Sequence, residues 1–172
     1  MKTYTVKIDG KELEINKAKV SKMPFNKVFD GVQRPLSQTE EAYFVTADIT
    51  GAAELEITVA EGFDEYEIRP LEYSLGDSRD GNTVKLTVDK PMQFTFEPDG
   101  FHNALHVFIN PPTEKPCGNN VIYYGKGTHN AGLITLASGQ TLYLEEGATV
   151  YGMIYAKNAH DIKIMGRGII DS

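Results

Sequence analysis

The residues of this chain that could do chemistry are few and widely spaced. Glu145 and Glu146 stand side by side in "YLEEGA". Two carboxylates can divide acid and base roles across one bond, but adjacent residues on a strand point to opposite faces, so this pair cannot flank a bond. Tyr123 and Tyr124 adjoin a glycine corner in "YYGKG", and His129 follows in "GKGTHNAG". A tyrosine pair offers flat rings on which a sugar can stack, and a nearby imidazole can steady a loop over it. Tyr123, Tyr124 and His129 are therefore the candidate substrate-binding residues. Against that stands a local role for His129, satisfying backbone groups of its own turn. His160 and Asp161 share a turn, and His102 and His106 flank "NAL", but two donors do not make a metal site and neither pair has a third. "GKG" at 125–127 lacks the rest of a phosphate-binding loop. Cys117, in "EKPCGNN", has no histidine near it in sequence and reads as a linker thiol. No catalytic residue, no metal and no cofactor is expected.

The elements around these residues read as strands throughout. "TYTVKI" and "KELEIN" are joined by Asp9-Gly10, a pair suited to a two-residue turn in which both residues need positive φ. Further strands are expected at 42–49, 53–60, 65–73, 82–89, 92–98 and 104–111, separated by "TGAA", "GDSRDGN", "DKP" and "EPDG". Short alternating strands at this spacing predict an antiparallel β-sandwich over residues 1–110. "KMPFNKVF" and "PLSQTEE" are ambiguous and have room for a short helical turn. Prolines 111, 112 and 116 mark residues 111–120 as a stiff connector.

From Val121 to Ser172 the grammar changes. "NVIYYGKGTH", "LYLEEGATVYG" and "IKIMGRGIIDS" align at offsets of 21 and 20 residues. Each opens on apolar residues two apart, turns at a glycine and adds a second apolar segment. A repeat near this length with glycine corners predicts the first coils of a right-handed parallel β-helix, each coil burying its apolar face against the next. A leucine-rich repeat of similar period would need "LxxLxLxxN", which is absent. The alignment predicts that Tyr123, Leu144 and Ile164 stack inward in one column.

Residues 111–171 also resemble a known family. "YYGKGTH", "SGQTLYLEEGATVYG" and "IMGRGIID" are similar to the β-helix start of polygalacturonase-like glycoside hydrolases (family 28, pectin lyase-like superfamily) and of the dextranase-like enzymes related to them. The resemblance is specific over about sixty residues and vague over the first 110. It implies a parent that hydrolyses pectin-type or related polysaccharides with inversion, using an acid carboxyl and a base carboxylate. The family's "NTD", "DD", "GHG" and "RIK" catalytic motifs are absent here. The resemblance thus implies a non-catalytic amino-terminal portion that caps the β-helix and shapes substrate binding, its Asp171 part of a rung. A free-standing carbohydrate-binding module and a structural or assembly solenoid remain alternatives.

Composition agrees with a soluble, ordered protein: 172 residues, 41% hydrophobic and 24% charged, with a net charge of −7. That acidity argues against nucleic acid as a partner. No stretch approaches the ~20 apolar residues of a membrane helix, so no membrane partner is expected. "MKTYTVKIDG" has no apolar leader and a single cysteine suits a reducing compartment, which together predict a cytoplasmic location, secretion staying open for a trimmed chain. The expected partners are a polysaccharide or oligosaccharide, through the parent, and a second copy of the chain. The copy would dock on residues 153–172, whose strand edge and apolar residues have no following coil in this sequence.

Overall fold

A computed structural model describes residues 2–22 and 36–171; all of "KMPFNKVF" after Lys22 lies outside the described residues. Those residues form an all-β protein in two compact units, 1–112 and 113–172. Neither contains an α-helix among the described residues, and "PLSQTEE" holds one 3-10 turn, Leu36–Gln38.

Unit 1 begins with strands β1 (Tyr4–Ile8), β2 (Lys11–Glu12) and β3 (Asn16–Ser21). Asp9 and Gly10 connect the first two with φ of 47° and 77°, the positive values that an Asp-Gly hairpin turn needs and that glycine adopts without steric cost. Strands β4 (Thr39–Asp48), β5 (Ala53–Val59), β6 (Tyr66–Arg69), β7 (Ser78–Asp80), β8 (Thr83–Val88), β9 (Met92–Pro98) and β10 (Leu105–Asn110) follow. They assemble into two five-stranded sheets, β2-β1-β5-β8-β7 and β3-β4-β10-β9-β6. Inward side chains of both sheets meet in one cluster that includes Val6, Leu55, Ile57, Leu86, Phe96, Leu105 and Val107, all essentially inaccessible to water. Their burial follows the two-residue alternation of each strand, and each contributes about 1.5–3 kcal/mol. The expected antiparallel order is corrected at one pair: β10 runs parallel to β4, Leu105 opposite Tyr43 through Asn110 opposite Asp48. A parallel pair needs a long crossover, and the chain from β5 to β9 supplies it.

Unit 2 holds β11 (Val121–Tyr124), β12 (Gly127–Thr135), β13 (Thr141–Leu144), β14 (Ala148–Tyr155), β15 (Lys163–Gly166) and β16 (Ile169–Asp171). Every pairing here is parallel. The orders are β11-β13-β15 and β12-β14-β16. Thr149 and Val150 face Ile169 and Ile170, as the twenty-residue overlay predicts. In the other sheet the overlay is wrong. Ile122, Leu142 and Ile164 form one column, Tyr124, Leu144 and Gly166 another, and Tyr123, Tyr143 and Met165 a third. The spacing there is 20 residues and then 22, while an irregularity between Asn130 and Gly132 absorbs the odd residue of the β12–β14 pair. A shift of one residue reverses the face, so Tyr123 leaves the inward column and Tyr124 enters it. Leu136, Leu142, Leu144, Ile134 and Val150 form the small core of this unit.

Candidate functional site

Tyr123 sits on the outer face of β11 and is 40% exposed. Its hydroxyl donates to Glu145 Oε2 at 2.5 Å, and the amide of Lys126 donates to the same oxygen at 3.3 Å. The ammonium of Lys115 lies 3.9 Å over the Tyr123 ring and 3.6 Å from Glu145 Oε1. The Tyr143 ring runs nearly parallel to it, 6.0 Å away at 12°. Tyr123 is thus held by a cation on one face and has a neighbouring ring beside it. Glu145 accepts the Tyr123 hydroxyl and the Lys126 N–H, which favour its ionised form and hold its pKa below the usual glutamate value. A carboxyl of that kind is a poor proton donor near neutrality, so Glu145 orders the β11–β12 corner and does not suit a general-acid role.

Tyr124 points to the inner side, partly buried against the small core, with its ring centre 5.2 Å from that of His129 in an edge-to-face arrangement. The His129 Nε2–H donates to the Gly125 carbonyl at 2.6 Å. This is the turn-satisfying role weighed for it in sequence. The three candidates therefore lie along one corner but do not converge: Tyr123 faces out, Tyr124 faces in, and His129 closes the turn between them. His160 Nδ1 meets Asp161 at 2.7 Å, both side chains exposed, while His102 lies 3.0 Å from Glu40. Among the described residues no three His, Cys, Asp or Glu side chains gather as metal ligands, and no helix is long and apolar enough to cross a membrane.

A second concave region, not foreseen from sequence, lies on the outer face of the β3-β4-β10-β9-β6 sheet. Arg69 on β6, Thr95 on β9, His106 on β10 and Phe44 on β4 face one another across four strands. Gln93 and Phe108 form the next row. Arg69, Thr95, His106, Gln93 and Phe108, with Pro70 and Leu71 at one wall, line an open groove of about 620 Å³. Glu97 binds the row together: its Oε2 accepts from Arg69 Nε at 3.1 Å and its Oε1 from the Thr95 hydroxyl at 2.8 Å. Arg69 also pairs with Glu67. Phe44 and Phe108 meet edge to face at 6.3 Å. Burial holds the His106 pKa below its ordinary value, so its imidazole is neutral at neutral pH. Alternation along "MQFTFEP" and "LHVFIN" sends Gln93, Thr95, His106 and Phe108 to one face, a signal present in the sequence. The partnership of β6, β9, β10 and β4 was the missing information.

No protein family model matches this chain, and no curated protein matches it. Among solved structures it is similar to Dex49A from Penicillium minioluteum, with a TM-score of 0.57 and 14% identity, covering 90% of this chain and 45% of that one. The chain thus spans somewhat less than half the length of Dex49A. At this identity the likeness is one of fold.

Proposed function

We propose that this chain is the non-catalytic amino-terminal portion of a polysaccharide-degrading glycoside hydrolase. In this reading unit 1 is a β-sandwich, and unit 2 forms the first coils of a right-handed parallel β-helix that downstream coils continue. The observation that carries it is the likeness of 90% of the chain to under half of Dex49A, a glycoside hydrolase. The exclusively parallel pairing in unit 2, repeating at 20 to 22 residues, supports it: each coil offers its edge and its apolar column to the next. The local role is to cap the solenoid. The absence of the family's paired-carboxylate motifs from the sequence supports a non-catalytic role for this portion.

Reducing-end release from dextran and polygalacturonate tests the reading, measured for residues 1–172 and for the complete product of the native gene. The expected result is no release by the former and release by the latter. An inert complete product, or release by residues 1–172 that disappears when one of their own carboxylates is replaced, overturns it.

A further inference from the structure

We propose that the groove on the outer face of the β3-β4-β10-β9-β6 sheet binds a neutral oligosaccharide, independently of unit 2. Its volume, about 620 Å³, falls in the ~300–1,000 Å³ range of small-ligand clefts. Three features of the lining select the ligand class. Phe108 is only half-buried and presents an apolar ring beside Pro70 and Leu71, the latter 66% exposed; such a surface suits the C–H face of a pyranose. The polar groups beside that ring are donor–acceptor types. The Gln93 amide and the His106 imidazole, held neutral by burial, each offer a donor and an acceptor, which is what a ring of hydroxyls requires.

The third feature is charge. Arg69 is the one cation in the lining, and Glu97 and Glu67 both pair with it, while Glu72 stands at the wall. One positive charge against the two carboxylates of the lining, Glu72 and Glu97, leaves the groove net negative, and Glu67 outside it adds to that field. A uronate would meet that field with its own carboxylate, whereas an uncharged sugar meets none of the penalty. The same Arg69–Glu97–Thr95 chain fixes the groove floor before any ligand arrives, which lowers the ordering cost of binding. The choice of a saccharide agrees with the proposed function, but the site itself stands on unit 1 alone.

The test is NMR titration of the amide spectrum of residues 1–172 with three neutral trisaccharides, maltotriose, isomaltotriose and cellotriose, and with trigalacturonate as the anionic comparison. At least one neutral sugar is expected to shift the Gln93, Thr95, His106 and Phe108 amides, with a dissociation constant on the order of 1 mM for so open a site. Phe108→Ala is expected to weaken it about tenfold, and Gln93→Ala, at an exposed position, is expected to weaken it as well without disturbing the core. Glu97→Gln releases Arg69 from one carboxylate and is expected to raise affinity for trigalacturonate relative to the neutral sugar. Shifts confined to the Tyr123–Tyr143 face overturn the groove while leaving the polysaccharide reading intact. Tighter binding of trigalacturonate by the unaltered chain overturns it as well, as does an absence of shifts with every neutral sugar. Failure of the proposed function is read separately, from the reducing-end assay.

Discussion

Asp99 shows how much one side chain can organise in this protein. It sits just past β9 with φ of 55°. Its Oδ1 accepts the amides of Asp64 at 2.8 Å and Glu65 at 3.2 Å, and its Oδ2 accepts Lys2 Nζ at 2.6 Å. Two other stretches of unit 1, at Lys2 and at residues 64–65, are thereby tied to the end of β9. The Lys2 hydrogen bond first, then the two amides, pull its pKa to about 2 from 3.8. A carboxyl whose folded pKa is depressed stabilises the fold fully above its unfolded pKa and loses that contribution as pH falls through the folded one. The window here runs from pH 3.8 down to about 2. Asp99→Asn is therefore expected to lower the urea midpoint at pH 7 and to matter progressively less below pH 3.8; an equal effect at pH 7 and pH 2.5 would contradict the account. At the same scale, Tyr66 donates to Asp77 at 2.5 Å, and burial followed by that contact pushes its pKa up to about 12. Its absorbance is expected to titrate near pH 12, well above the ordinary tyrosine value of 10.0.

Among elements, the β13–β15 pair is the one on which the architecture of unit 2 turns. Leu144 is 4% exposed and belongs to the five-residue core. Leu144→Ala is expected to cost about 2–5 kcal/mol, because so small a core has few neighbours able to close the cavity. Directly across from Leu144, Gly166 adopts φ of 119°, and a Cβ built there would lie 1.9 Å from the Leu144 carbonyl oxygen. Neither the backbone conformation nor the space admits a side chain, so Gly166→Ala is expected to cost about 2–4 kcal/mol by strain and displacement together. Thermal unfolding of the two variants checks both; a Gly166→Ala protein as stable as the parent would mean that β15 does not lie over β13 in this register.

Across the whole molecule the two units differ in self-sufficiency. Unit 1 gathers 19 buried residues in its core and unit 2 gathers five, counted among the described residues. A chain of about sixty residues with so few buried side chains falls below what independent folding needs. Residues 1–112 expressed alone are expected to unfold cooperatively and give a dispersed amide spectrum, and residues 113–172 alone to give a collapsed one. A folded 113–172 fragment would show that parallel coils of this length stand without help. Exposed apolar side chains also mark unit 2, with Leu133 beside Met153 at 60% and 64% exposure.

What could be read from sequence was what depends on near neighbours. Asp9-Gly10 specified its turn through backbone sterics, alternation in "MQFTFEP" specified which residues face the core, and the spacing of Thr149-Val150 from Ile169-Ile170 specified their pairing. All-β character follows from those local preferences. Only the tertiary structure decided which strands became neighbours. The parallel β4–β10 pair joins segments about sixty residues apart, and no local pattern encodes that choice. It is also what places Phe44 beside His106, next to the groove. The inward column of unit 2 failed from sequence for a related reason. A strand has a period of two, so Ile122 and Tyr123 are equally good inward residues until the register with Leu142 chooses between them.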